Sequence, residues 1–254
     1  QPRLISKRSP TQLQRIKREV WIMKYGSITT GIIADGLVFN MDAANRASYP
    51  KTGTTVTDTI GNTSGTLNGT TFSNVNSGIF NFDGTDDRIE VNSFTPLNSS
   101  TSLTAQLWFK ADTYSNSGAL FWFDDHIEIY QGNSAYSNTQ GRTYYRLSGQ
   151  YGNPFATLGG TSASGVGNLC DGNWHNICIA WDGATAIIYE DTVAVITAAE
   201  PGTLNDATDN IYIGTNASAG TPFQGEVANI QLYNRALSAN EVLHNYNALK
   251  SRFE

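Results

Sequence analysis

Between Gly36 and about residue 235 the chain is a succession of short apolar–polar alternations broken by turn residues. "GLVFNMD" alternates, and in "GIFNFDG" Ile79 and Asn81 fall on one side while Phe80 and Phe82 fall on the other. "LTAQLWFKAD" and "ALFWFDDHIEIY" are rich in strand formers. "WHNICIAWDG" puts His175, Ile177, Ile179 and Trp181 on one face, and "AIIYEDTVAVI" follows across a turn at Asp182 and Gly183. "NIYIGTN" and "GEVANIQLYN" complete the set. Period-two patterning at this spacing predicts an all-β fold, an antiparallel sandwich. No fixed-period repeat is present, which argues against a propeller or solenoid.

The two ends follow another period. After Pro10, Thr11 can cap a helix in which Leu13, Ile16, Val20 and Met23 recur on one face, with bases largely on the other. "KYGSITTGIIADG" reads as a linker. The division expected is therefore an arm over residues 1–35 and a sandwich over residues 36–254. Met23 heads what reads as a complete domain, so residues 1–22 read as an addition to it. At the other end Ser238 followed by Glu241 is a capping box, and Val242, Tyr246 and Leu249 form an apolar stripe. A short C-terminal helix is predicted, with Lys250 and Arg252 where cations suit its end.

Charge sharpens this division. The net charge of −6 conceals an asymmetry: residues 1–25 hold seven bases (Arg3, Lys7, Arg8, Arg15, Lys17, Arg18, Lys24) against Glu19 alone, whereas the remainder carries 21 acids and nine bases. A basic arm on an acidic body is a two-part molecule. Seven bases suit phosphates, but the stripe of Leu13, Ile16, Val20 and Met23 demands an apolar surface, so a protein assembly is the expected partner and nucleic acid is not. No run is long and apolar enough for a membrane span, and "QPRLISKRSP" is not followed by the apolar core of a signal peptide. Two cysteines, Cys170 and Cys178, are expected to be reduced: if "CDGNW" is a tight hairpin they lie too far apart along it to bond.

"GLVFNMDAANRASYP", "DTIGN…GTL", "FNFDGTDDRIEV", "GNWHNICIAWDG", "IYIG" and "FQGEVANIQLYNRALSANEVLHNYNALK", in this order, resemble the concanavalin A-like, laminin-G-type jelly-roll domains over about residues 36 to 250. The opening "MKYGSITTGIIADGLVFNMDAANRASYP" is similar to such domains in virion proteins of tailed phages, particularly marine ones. The resemblance implies a jelly roll in a virion context. The charge split adds an arm docked on capsid or other virion proteins, and the lack of long trimerising segments favours a non-enzymatic capsid decoration protein on the virion surface over a tail fibre, with homo-oligomers on the particle as an option. A carbohydrate-binding adhesin module is the alternative. Two positions depart from the pattern. Val56 stands where relatives carry Trp, and Asp191-Thr192 stands where they carry Asp-Gly, which puts the inherited turn type in question.

Three sets of residues are candidates for chemistry. The resemblance implies that "FDGTDD" is an inter-strand corner, in which Asp83 and Gly84 favour a turn. It also admits Ca²⁺ at Asp83, Asp86 and Asp87, because clustered carboxylates supply the oxygens that ion requires. "FDDHIEIY" invites comparison with the E-x-D-x-x-E strand of glucanases, but Phe123 stands where one carboxylate is needed. Asp124, His126 and Glu128 are therefore expected on a polar solvent face or sheet edge, without catalysis. Tyr130, Tyr136, Arg142, Tyr144, Tyr145 and Tyr151 lie among amides and small residues, a composition that suits a glycan or partner contact, with about half of the region's aromatics assigned to the core.

Overall fold

The computed structural model describes residues 31–61, 63–111, 118–123, 126–131, 143–147, 156–158, 169–204 and 209–254. The basic helical arm expected before residue 31 lies outside them. The described strands are β1 (Leu37–Asp42), β2 (Thr55–Thr57), β3 (Ser64–Asn68), β4 (Thr71–Ser73), β5 (Ile79–Asp83), β6 (Arg88–Phe94), β7 (Leu103–Lys110), β8 (Gly118–Phe123), β9 (Ile127–Gln131), β10 (Thr143–Leu147), β11 (Ala156–Leu158), β12 (Trp174–Trp181), β13 (Thr185–Glu190), β14 (Val193–Ala199), β15 (Asp209–Ile213) and β16 (Gln224–Tyr233). Helix α1 (Ala239–Leu249) follows and tightens into a short 3₁₀ turn at Lys250–Arg252.

Two eight-stranded sheets face each other. Sheet A runs β14-β13-β12-β7-β16-β5-β4, with β1 also paired to β16; sheet B runs β11-β10-β9-β8-β15-β6-β3-β2. Every ladder among the described strands is antiparallel, as in β7 against β12 and β6 against β15. The alternation seen in the sequence builds the interior directly. Phe80 and Phe82 of β5, Ile177, Ile179 and Trp181 of β12, Phe121 and Phe123 of β8 and Ile211 and Ile213 of β15 all enter one buried cluster between the sheets. Val56 is fully buried there. Apolar area removed from water at about 25 cal/mol per Å² is the main favourable contribution to such a core.

Sheet A carries a second layer on its outer side. Ile79 and Trp108 lie under Tyr246, Leu249 and Phe253, and Cys178 and Tyr233 lie under Val242. Trp108 stacks on Tyr246 and Phe253, with centroids 4.9 and 4.4 Å apart. The capping box is present: Ser238 accepts from the Glu241 amide, and the Glu241 carboxylate accepts from the Ser238 amide at 2.9 Å. Arg235 pairs with Glu241 at 2.6 Å, and this pairing and the cap amide hold the Glu241 carboxyl down at about 2. Arg252, placed by sequence at the helix end, reaches Asp42 at 3.0 Å and two backbone carbonyls, those of Asn76 and Gly78.

Polar side chains buried beneath α1 are mutually satisfied, as burial requires. Asn245 donates to Gln106 and to the Tyr233 hydroxyl, each at 3.0 Å, and Gln106 donates to Asn176 at 2.8 Å. The same helix holds the segment preceding β1. The Ile33 amide donates to Asn245 Oδ1 at 2.7 Å, the Tyr233 hydroxyl lies 3.1 Å from the Ile33 carbonyl, and His244 reaches the Gly31 carbonyl at 2.9 Å. Residues 31–35, assigned by sequence to a linker, are thereby packed onto the outer side of sheet A.

Both cysteines are free and buried, but the geometry that separates them differs from the expected hairpin. Cys170 precedes β12 without being in a strand and belongs to the inter-sheet core, while Cys178 lies on the opposite side of sheet A. The sheet itself stands between them.

Candidate functional site

Strand β6 reads "RIEVNSF": Ile89 and Val91 enter the core, so Arg88 and Glu90 face outward. In β15 the same alternation buries Ile211 and Ile213 and turns Asn210 and Tyr212 outward. Register places Glu90 opposite Tyr212 and Tyr212 opposite Trp122 of β8. Beyond the end of β15 the chain turns at Asn216–Ala219, where Asn216 Oδ1 accepts from the Gly220 amide at 2.9 Å and the Ser218 hydroxyl at 3.0 Å. Arg88, Glu90, Tyr212 and residues 216–219 line a cleft of about 280 Å³ on the outer side of sheet B.

Asn210 holds Glu90 and Tyr212 of this cleft in place. The Asn210 side-chain oxygen accepts from the Ser93 amide at 3.0 Å, which fixes the amide; its nitrogen then donates to Glu90 Oε1 at 3.3 Å and to the Tyr212 hydroxyl oxygen at 3.2 Å. Arg88 lies 3.7 Å from Glu90 Oε2. The charges thus offset one another, and the Tyr212 hydroxyl, already accepting, has its own hydrogen directed elsewhere. The cleft offers a carboxylate acceptor, guanidinium and hydroxyl donors and an aromatic ring. Groups of these kinds can pair with hydroxyls and pack against an apolar face.

The row across sheet B continues from Trp122 to Glu128 of β9, and here an expectation fails. His126 and Glu128 are 1% and 2% exposed, and β9 lies inside the sheet, between β8 and β10. Their burial takes them off the solvent face, and β10 and β11, which extend the sheet beyond β9, take them off its edge. His126 lies in the turn before β9 and stacks on Phe123 at 4.0 Å. Asp124 is outside the described residues. Glu90 and Glu128 are three strand spacings apart, roughly 14 Å at ~4.8 Å per strand, beyond the ~5–9.5 Å that a two-carboxylate glycosidase needs.

The tyrosine-rich contact region is only partly visible and partly corrected. Tyr145 is fully buried between the sheets, where its hydroxyl donates to Glu190 at 2.9 Å. Tyr130 is 9% exposed and packs edge-on against Trp122 at 5.8 Å. Neither presents a contact surface, because strand alternation sends Tyr145 into the core and Tyr130 is buried beside Trp122. Tyr144 stands on β10 opposite Tyr130. Tyr136, Arg142 and Tyr151 lie outside the described residues.

Asp83, Asp86 and Asp87 do converge. One carboxylate oxygen from each lies within 4.8 Å of the others, at the corner where the chain passes from β5 in sheet A to β6 in sheet B. Gly84 has φ of +79°, the conformation for which glycine is used. Asp87 accepts from the Asp83 amide at 2.9 Å and Asp83 from the Thr85 amide at 2.8 Å. Burial first, and the charges of Asp83 and Asp86 after it, raise the Asp87 carboxyl above the usual carboxylate range. The donor set is the hard oxygen type that suits Ca²⁺, yet it supplies only part of the six to eight oxygens that ion takes. What the carboxylates demonstrably do is close the corner. A related task falls to Asp58 in "DTIGN", whose buried carboxylate accepts from the amides of Asn40, Ile60 and Gly61 and from the Thr63 hydroxyl.

His175 begins β12 between two carboxylates, with Nδ1 2.7 Å from Asp191 and Nε2 3.0 Å from Asp171. Burial works against its charge, but the hydrogen bonds to Asp191 and Asp171 prevail and raise its pKa. Asp171 is correspondingly lowered to about 2: burial opposes its charge, and hydrogen bonds from Asn173 and His175 outweigh that. This cluster ties the loop before β12 to the β13–β14 turn and opens onto no described cavity.

Comparison with known proteins places these features. No curated protein sequence matches the chain. Among solved structures, domain 4 of AbnA, a GH43 extracellular arabinanase from Geobacillus stearothermophilus in complex with arabinotriose, is similar with a TM-score of 0.62 and 17% identity, covering 84% of this chain and 98% of that one. The binding domain of Paraclostridial Mosquitocidal Protein 1 is similar with a TM-score of 0.59 and 16% identity over 83% of this chain. The receptor binding domain of botulinum neurotoxin type G gives 0.57 and 14% over 84%. The chain spans 52% and 51% of those two toxin domains. At these identities the likeness is one of fold. Residues 83–243, more than half of the chain, match the Laminin_G_3 family, described as the Concanavalin A-like lectin/glucanases superfamily, and the chain belongs to that family.

Proposed function

We propose that the sandwich is a non-catalytic carbohydrate-binding module and that its site is the cleft of Arg88, Glu90, Tyr212 and the 216–219 turn. The observation that carries this reading is the cleft's own chemistry: a fixed, charge-compensated set of hydroxyl-recognising groups beside an aromatic ring. The wide spacing of Glu90 and Glu128 supports binding without hydrolysis, and the similarity to an arabinanase domain held with arabinotriose supports a saccharide as ligand. The test is a glycan array followed by calorimetry on the wild-type chain and on Tyr212→Ala. Tyr212→Ala is expected to weaken binding of any neutral saccharide hit by at least about tenfold, about 1.4 kcal/mol. Undiminished binding by that variant would remove the cleft from the proposal.

A virion context is proposed alongside it, on sequence grounds: the basic arm, the acidic body and the resemblance of the opening segment to phage virion domains. In this reading the arm attaches the module to a capsid as a decoration protein, and the acidic body keeps displayed copies soluble. Deleting residues 1–25 is expected to abolish particle binding while leaving the sandwich folded, with sedimentation with particles as the assay. Retained particle binding by the truncated chain would sink the idea.

A further inference from the structure

We infer that the cleft accepts one neutral sugar ring, a terminal or branch residue, rather than a run of residues along a chain; this rests on the carbohydrate-binding reading above. Three observations lead there. The first is size. At about 280 Å³ the cleft is at or below the small end of ligand pockets, roughly 300–1,000 Å³ for drug-sized ligands.

The second is enclosure. Across the sheet, the row Thr66–Glu90–Tyr212–Trp122–Glu128 does not stay open: Ala119 and Glu128 are buried on the same outer side, with Tyr130 9% exposed beside them. Among the described residues a saccharide lying across the strands is therefore bounded on the β9 side, beyond Trp122, whereas Thr66 at the other end of the row is exposed. At the strand end the Asn216–Ala219 turn forms a wall, braced by the Ser218 and Gly220 hydrogen bonds to Asn216. The cleft is bounded on two sides.

The third is charge. Arg88 and Glu90 stand 3.7 Å apart within the cleft, so a charge on the sugar is attracted by one and repelled by the other and gains little net. A neutral ring instead places hydroxyls against both groups at once, with the Tyr212 hydroxyl as a further donor.

The experiment is calorimetry on the full chain with methyl glycosides of glucose, galactose, mannose, arabinose and N-acetylglucosamine, each compared with its homologous trisaccharide, and with N-acetylneuraminic acid and glucosamine as charged probes. The expected result is a neutral methyl glycoside and its trisaccharide bound within about threefold of each other, with the charged probes at least about tenfold weaker. A trisaccharide bound more than about tenfold tighter than its methyl glycoside overturns the single-ring inference while leaving carbohydrate binding intact. Preference for a charged probe overturns the neutral one. Binding of none of these sugars in either length removes the underlying reading as well. Ala217→Trp, a change on the exposed turn, is expected to abolish binding without altering the thermal transition; unchanged binding by a folded Ala217→Trp chain would place the ring elsewhere.

Discussion

The β13–β14 hairpin holds a strain whose relief should be measurable. Glu190 pairs with Val193, and the two residues between them, Asp191 and Thr192, have φ of +47° and +76°. Positive φ at both central positions is the signature of a type I′ turn, the form whose twist matches the flanking strands. The sequence therefore places a β-branched residue where glycine fits best in such a turn. A left-handed conformation costs a non-glycine residue ~1–2 kcal/mol. Glycine returns ~0.5–1 kcal/mol of that through the extra freedom of the unfolded chain. The Thr192 hydroxyl makes no hydrogen bond among the described residues, so little else is lost. Thr192→Gly is thus expected to stabilise the domain by about 0.5–1 kcal/mol, a rise of ~1–4 °C at the scale of ~2–4 °C per kcal/mol for a domain of this size. Differential scanning calorimetry reads the shift. Asp191→Gly serves as the opposite-signed control, because it removes the carboxylate that holds His175 at 2.7 Å and the Asn176 amide at 2.8 Å. A Tm for Thr192→Gly equal to or below wild type would refute the reasoning, as would a gain in Asp191→Gly.

Three further outcomes follow from the same structure. Because its aspartate partners raise the pKa of His175, the stabilisation it contributes is fully present below its unfolded value and is lost as pH rises through the folded one. The urea midpoint should fall from about pH 6 to about pH 9, and His175→Gln should flatten that slope; an equal slope in both proteins would exclude the His175 cluster. Burial pushes the Cys170 thiol up to about 11 and the Cys178 thiol higher still, so a thiol reagent at neutral pH should label neither cysteine in the native chain and both after denaturation, and fast native labelling would contradict the packing. The Asp83–Asp87 corner is closed by its own amide hydrogen bonds, so Tm in a chelator and in millimolar Ca²⁺ should agree within about 1 °C, whereas a rise of several degrees would assign a cation to it.

The fold was legible because sandwich strands carry their packing in a period of two. "GIFNFDG" and "WHNICIAWDG" state which residues enter the core without reference to any other strand, and both readings hold in the structure. The Ser238–Glu241 box is likewise local, its partners three residues apart. Cys170 was less legible: its place in the core depends on an irregular segment before β12, and the assumed hairpin had no periodicity to test it.

Burial of polar strand residues is a different kind of information. "DDHIEIY" alternates as a solvent-facing strand would, and nothing in its period reveals that β10 and β11 continue the sheet beyond it or that Glu128 is 2% exposed. The cleft is the converse case. "RIEV" and "NIYI" contain the signal that Arg88, Glu90, Asn210 and Tyr212 point outward, but Tyr212 lies 122 positions after Glu90 in the chain, and their meeting follows from β15 inserting between β6 and β8. A cross-strand insertion of that length is set by the tertiary pairing of the whole sheet and by no local preference. Local chemistry can therefore nominate residues for a face, as it nominated Tyr130 and Tyr145, while only strand order decides which nominees share a cleft. Among the described residues the cleft falls to β6, β15 and the turn after β15, where Asn210 bridges Glu90 and Tyr212 and Arg88 offsets the charge of Glu90.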